Sequence, residues 1–249
     1  MFALPVAAPY REILYAAMIL WAALLILGLA FGPFDPVRMR RIPLINRMAS
    51  SFILVVGAVI WWLAGARTTP LAGYAALVAA GMACGFLGDL LMAQVIPTPN
   101  RVVFGMAAFG AGHIVYVMAY RALGIALQIA DSRVYLVSLA TVLALGGATW
   151  RSFVRSPQAP KALNYGSLGY SLLLAVMGGM AFALAAQEPG LIILAAGAGL
   201  FFISDTLLGN EVVRENRWRP VGDVVWMTYI LGQALIVFST AAALRLLAR

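Results

Sequence analysis

Gly199-Leu-Phe-Phe-Ile-Ser-Asp-Thr-Leu-Leu-Gly209 is an apolar stretch with one acidic residue, Asp205, beside Ser204. Gly85-Phe-Leu-Gly-Asp-Leu-Leu-Met92 sets Asp89 in similar surroundings. Both read as helices apolar enough to lie in hydrocarbon. An ionisable group at the centre of a spanning helix costs roughly 2.5–3.5 kcal/mol on insertion scales, which makes it a candidate functional group. The fold therefore turns on whether the rest of the chain is membrane-embedded.

Composition says that it is. The 249 residues are 63% hydrophobic and 10% charged, with a mean hydropathy of +0.95; soluble domains run near 25% charged. A bilayer core of about 30 Å takes about 20 helical residues. Eight apolar segments meet that length, at 11–32, 47–65, 71–94, 101–122, 133–150, 163–186, 190–210 and 221–246. A transmembrane β-barrel would instead show alternating segments of about ten residues. The expected fold class is all-α: a polytopic membrane helical bundle of eight transmembrane helices, forming a single transmembrane domain over 1–249. Gly32-Pro33-Phe34-Asp35-Pro36, Pro97-Thr98-Pro99-Asn100, Ser156 to Lys161 and Glu188-Pro189-Gly190 mark breaks. Short loops make consecutive spans antiparallel neighbours.

The net charge of +8 does not point to nucleic acid, because the basic residues sit in the gaps between apolar runs. Eleven of the 17 Lys and Arg residues fall in the odd-numbered loops and six in the even loops and termini. The positive-inside rule then makes the odd loops cytoplasmic and puts both termini outside. On these edges Asp89 and Asp205 each lie about one turn from the cytoplasmic end of a span. The lone Cys84 allows no intrachain disulfide. Met1 to Tyr10 lacks the basic flank of a signal peptide, so the first span is expected to be retained. The Ala- and Arg-rich style suggests a bacterial inner membrane.

Two features favour a functional reading of the acids over interfacial ones that snorkel to water. Asp is short and snorkels poorly. A carboxylate near a helix C-terminus also faces the negative end of the dipole. A carboxyl that holds its proton near neutral pH can act as a general acid. Gly81, Gly85 and Gly88 share a face with Asp89, so another helix can come close there.

Other polar groups join the list. His113, the only histidine, shares a face with Tyr116 and Tyr120 at spacings of three and four. It reads either as a packing hydrogen bond or as a group that orients water or charge. Asp223 reads as the N-cap of the eighth helix after Pro220 or as a supporting polar group. Trp226, Tyr229 and Gln233 share a face, and Gln233 needs a partner in hydrocarbon. Tyr165 and Tyr170 add hydroxyls. One His and one Cys make a poor zinc set, so no metal and no cofactor are expected.

Gly88-Asp89, Phe109-x3-His113-x2-Tyr116, Tyr170-x6-Met177, Phe201-x2-Ser204-Asp205 and Tyr229-x3-Gln233-Ala234-Leu235-Ile236 together resemble the lysoplasmalogenase family of YhhN-like membrane proteins, over nearly the whole chain. Gly232, where Ala is expected, and Cys84, where a small polar residue is expected, depart from the pattern. The resemblance implies hydrolysis of the vinyl ether bond of lysoplasmalogens to a fatty aldehyde and glycerophosphoethanolamine or glycerophosphocholine. It implies Asp89 and Asp205 as catalytic residues, with His113, Tyr116, Tyr170, Ser204, Asp223, Tyr229 and Gln233 supporting or binding substrate. Protonation of the vinyl ether β-carbon gives an oxocarbenium ion, to which water adds. One carboxyl would supply the proton and the other would stabilise the cation, a division of labour that glycosidases also use. The implied partner is a lysophospholipid entering from the bilayer, its phosphate met by basic groups such as Arg214, Arg217 or Arg219. Two rival readings remain at this point: a proton-coupled transporter or lipid-binding protein, and a metal-dependent lipid amide or ester hydrolase.

Overall fold

Proline and short polar side chains set where the helices begin. Prolines 43, 160 and 220 stand immediately before three of them, where the missing N–H is no loss. Asn100 accepts hydrogen bonds from the amides of Val102 and Val103, both at 3.2 Å. Asp131 accepts from Arg133 and Val134 at 2.9 and 3.4 Å. Both are N-caps that satisfy otherwise orphaned donors. The structure, a computed structural model of the chain, describes residues 5–249.

Among the described residues the helices are α1 (Tyr10–Phe31), α2 (Leu44–Ile60), α3 (Ala72–Met92), α4 (Arg101–Ala126), α5 (Ser132–Thr149), α6 (Lys161–Gln187), α7 (Ile192–Arg214) and α8 (Val221–Leu247). α2 continues as a π-helical turn over Trp61–Ala66 and α5 over Trp150–Val154. All eight are long and apolar enough to cross a bilayer, and the chain is an integral, multi-pass membrane protein.

Two helix ends differ from the sequence expectation in ways that matter. α2 begins at Leu44, so Arg47 lies inside the helix, not in the preceding loop. Its side chain is only 8% exposed, with the guanidinium 4.9 Å from the Trp226 ring centre. α7 runs on to Arg214 and stops where Glu215 turns left-handed at φ 57°. Asp205 therefore sits about two and a half turns from the helix end. The helix dipole fades within the last turn, so that argument holds for Asp89, three residues before Met92, and fails for Asp205.

Consecutive helices pack against one another, α4 and α5 least of all, with Tyr135 of α5 set against Gly124 of α4, and α4 also meets α6. α8 is the hub: it lies against α7, α3 and α2, with 61% of its apolar window inside the protein against 6% for α5. Ile19, Ile26, Leu136 and Val137 on the outer helices are exposed and suited to lipid contact. The α7–α8 crossing needs glycine on both sides. A β-carbon on Gly197 or on Gly232 would lie 2.8 Å from the other residue's carbonyl oxygen. Gly232, where the family resemblance leads one to expect Ala, leaves no room for a methyl group at this crossing.

Candidate active site

Six helices bring their polar residues together in two clusters. The first is built on Asp205 of α7. The Tyr170 hydroxyl, from α6, donates to Asp205 Oδ2. His113 Nε2, from α4, lies 2.9 Å from that hydroxyl and 3.7 Å from Asp205 Oδ2. A tyrosine hydroxyl carries one proton. With that proton turned to Asp205, His113 must donate from Nε2, which assigns its tautomer by hydrogen-bond logic. His113 is fully buried, and its Nδ1 has no partner among the described residues.

The second cluster is built on Asp89 of α3, which is 5% exposed. Ser51 of α2 donates to Asp89 Oδ2 at 2.6 Å, and Tyr229 of α8 donates to the same oxygen at 3.0 Å. Gln233 Nε2 donates to the Tyr229 hydroxyl at 3.4 Å, and the Tyr116 hydroxyl donates to Gln233 Oε1 at 2.6 Å. Gln233 thus has the buried partners it needs. The small face of α3 makes room for them. A β-carbon on Gly85 would lie 2.6 Å from Gln233 Nε2, one on Gly88 would lie 2.8 Å from the Phe109 ring, and one on Gly81 would lie 2.5 Å from the Tyr116 ring.

Aromatic rings join the two clusters. Tyr229 stands edge-on to Phe109 and to Phe201, with centroids 5.7 and 5.2 Å apart. Phe201 stands edge-on to His113 at 4.9 Å. On the Asp205 side the wall of rings meets an open-mouthed apolar cleft with a cavity volume of about 50 Å³. Met92, Met106, Phe109, Leu208 and Val212 line it, and Tyr170 and Asp205 are among its few polar groups. The cleft lies where α3 and α7 end and α4 and α6 begin, which is the end carrying the basic odd-numbered loops.

Not every residue singled out in the sequence joins these clusters. Ser204 is beside Asp205 in the chain, but its hydroxyl donates to the Val225 carbonyl at 2.9 Å, pinning α7 to α8. One helical residue turns the side chain by about 100°, which takes Ser204 off the acid's face. Asp223 makes no side-chain cap for α8. Its two carboxylate oxygens accept from the backbone amides of Arg41 and Ile42 at 2.7 and 3.0 Å, tying the α1–α2 loop to α8. Tyr120 stacks on Tyr116 with its hydroxyl unpartnered, and Tyr165 is 68% exposed. Conversely, Ser51 and Arg47, which join the Asp89 surroundings, carry little mark of it in the sequence. Their signal was a Ser four residues after an Arg, on one face of the second span.

Among the described residues, no three His, Cys, Asp or Glu side chains converge as a metal-ligand set. An all-α membrane bundle with paired intramembrane acids defines the class of protein. The YhhN family model matches residues 44–240, from the first residue of α2 well into α8, and the chain belongs to that family. No curated protein and no solved structure matches it.

Proposed function

We propose that this protein is an intramembrane hydrolase that cleaves the vinyl ether bond of lysoplasmalogens, yielding a fatty aldehyde and the glycerophospho-headgroup. The observation that carries the reading is Asp205, backed by Tyr170 and His113, at the inner end of an apolar cleft with a second acid behind its aromatic wall. Family membership supports the substrate class. The cleft's methionine and aliphatic lining suits a single hydrocarbon chain, and its position suits entry from the leaflet on the basic, cytoplasmic side of a bacterial inner membrane.

In this reading Asp205 is the acid that meets the substrate. Its proton goes to the β-carbon of the vinyl ether, and the double-bond electrons form the new C–H bond. The ether oxygen shares the resulting positive charge with the α-carbon. The carboxylate left on Asp205 is stabilised by the Tyr170 hydroxyl, itself held by His113 Nε2. Water then adds to the α-carbon, its proton passing to Asp205, and the hemiacetal collapses to aldehyde and glycerol hydroxyl. The same carboxyl thus acts first as acid and then as base, as in glycosidases. Asp89, anchored by Ser51 and Tyr229, is the second charge and favours the cation. Tyr116 and Gln233 hold Tyr229 in place.

The test is purified wild type against Asp205→Asn with an alkenyl lysophospholipid, following aldehyde release with and without chelator. Aldehyde from wild type alone, insensitive to chelator, is the expected result. Wild-type turnover by folded Asp205→Asn overturns the role of that acid, and no aldehyde from folded wild type overturns the reaction.

A further inference from the structure

We propose that Arg47, with Arg40 beside it, forms an anion subsite for the phosphate diester of a lysophospholipid headgroup, on the Asp89 side of the acid pair. This deepens the functional reading above and rests on it for the identity of the lipid. Arg47 is 8% exposed, and its guanidinium lies 4.9 Å from the Trp226 ring centre. Its Nε is buried without a hydrogen-bond partner, and among the described residues no ion pair reaches it.

The two acids in its field are both engaged elsewhere. Asp89 is held by Ser51 and Tyr229, and Asp223 by two backbone amides. The other charges near Arg47 are Arg40 and Arg38, of its own sign. A buried guanidinium with like-charged neighbours and only a ring face for a partner carries a large desolvation penalty. An incoming anion relieves it. The planar fork of a guanidinium fits a phosphate with two parallel hydrogen bonds.

The neighbouring arginines have other contacts. Arg214 Nε donates to the Arg155 carbonyl at 3.0 Å, Arg219 stacks on Phe34 at 4.1 Å, and Arg101 and Arg217 face Glu211, while Arg40 itself is in the field of Asp35, Asp223 and Glu211. The basic groups that the sequence nominates for the phosphate, Arg214, Arg217 and Arg219, each have a contact, whereas Arg47 has only the Trp226 ring and its buried Nε has no hydrogen-bond partner. Arg47 is buried, charged and unsatisfied beside Asp89.

Binding is measured on the full chain with an ester-linked lysophosphatidylethanolamine, which has no vinyl ether to cleave, and with a monoacylglycerol of the same chain. Wild type should prefer the phosphate-bearing lipid by about tenfold or more, the worth of a charge-assisted contact. Arg47→Gln should lose that preference while keeping its affinity for the monoacylglycerol. Free glycerophosphoethanolamine should displace the lysolipid from wild type and not from Arg47→Gln. Equal displacement by inorganic phosphate would assign the site to free phosphate and overturn the lipid assignment. No preference in wild type, or full preference in Arg47→Gln, overturns the subsite. If Arg47→Gln does not fold, Arg47→Lys and Arg40→Gln read the same preference, and full retention in both overturns it. Because nothing is cleaved, the outcome is separate from that of the aldehyde assay.

Discussion

Replacing Tyr170 with Phe removes one oxygen and leaves the ring, its contact with His113 and the cleft wall in place. The oxygen joins two groups: it donates to Asp205 Oδ2 and accepts from His113 Nε2. Without it, the imidazole is 3.7 Å from the carboxylate with nothing between. A hydrogen bond to a charged group contributes about 1.5–3 kcal/mol. If Asp205 gives up its proton in the transition state, that bond strengthens as the carboxylate forms. Its loss then appears in kcat, as a fall of about tenfold to a hundredfold. KM should change little, because the apolar lining is kept. Stability should fall as well: His113 is buried, its Nδ1 is already unpartnered, and Nε2 would join it, at about 1–3 kcal/mol. The assay is steady-state aldehyde release from an alkenyl lysophospholipid by Tyr170→Phe, His113→Ala and the double variant. If His113 acts through Tyr170, the losses will not add. A kcat for Tyr170→Phe within about twofold of wild type would refute the reasoning.

Gly232→Ala puts a β-carbon 2.8 Å from the Gly197 carbonyl and 3.0 Å from the Phe201 amide. Backbone cannot turn aside as a side chain can, so α7 must move from α8 at a cost of about 1–3 kcal/mol; a lowered melting temperature checks it, and an unchanged one refutes the close crossing. Asp223→Ala orphans the amides of Arg41 and Ile42, and thermal unfolding should show a loss of about 1–3 kcal/mol. In the α1–α2 loop, hydrogen bonds from the Arg38 amide and then the Val37 amide, with the Arg38 and Arg40 guanidiniums adding less, hold the Asp35 carboxyl below the ordinary 3.8. A depressed carboxyl favours the folded turn above its ordinary value and loses that contribution as pH falls through the lowered one. An NMR titration of Asp35 should therefore give a midpoint under 3.8, and one at or above it counts against the turn.

Much of the site was legible because an acid, a histidine or a glutamine stands out in hydrocarbon. Asp89, Asp205, His113, Tyr229 and Gln233 announce themselves that way, and helical spacing puts Tyr229 and Gln233 on one face. The glycines at 81, 85 and 88 were legible as a packing face, though not as seats for Tyr116, Gln233 and Phe109. Illegible parts depend on contacts remote in sequence. Asp223 looked like a local cap, yet its partners are about 180 residues away. Ser51 is an ordinary serine until α3 places Asp89 within 2.6 Å of it. Arg47 looked like the last of a run of loop arginines, and only the burial of α2 against α8 takes it out of water.

The proposed mechanism gives different roles to two acids that the sequence alone does not tell apart. Asp205 borders the cleft, whereas Asp89 lies behind Phe109 and Tyr229 with two donors on one carboxylate oxygen. A group that delivers a proton to carbon must reach the substrate at hydrogen-bond range, and Asp205 has the open side. A group that stabilises charge can act through a ring's thickness in a medium of low dielectric. Substituting Asp89 by Asn should therefore leave the proton donor in place and remove the stabilising charge. The variant should retain a measurable rate where Asp205→Asn retains none. A single-turnover assay that finds the reverse order would exchange the two roles, and the cleft would then have to open to Asp89 before the lipid reacts.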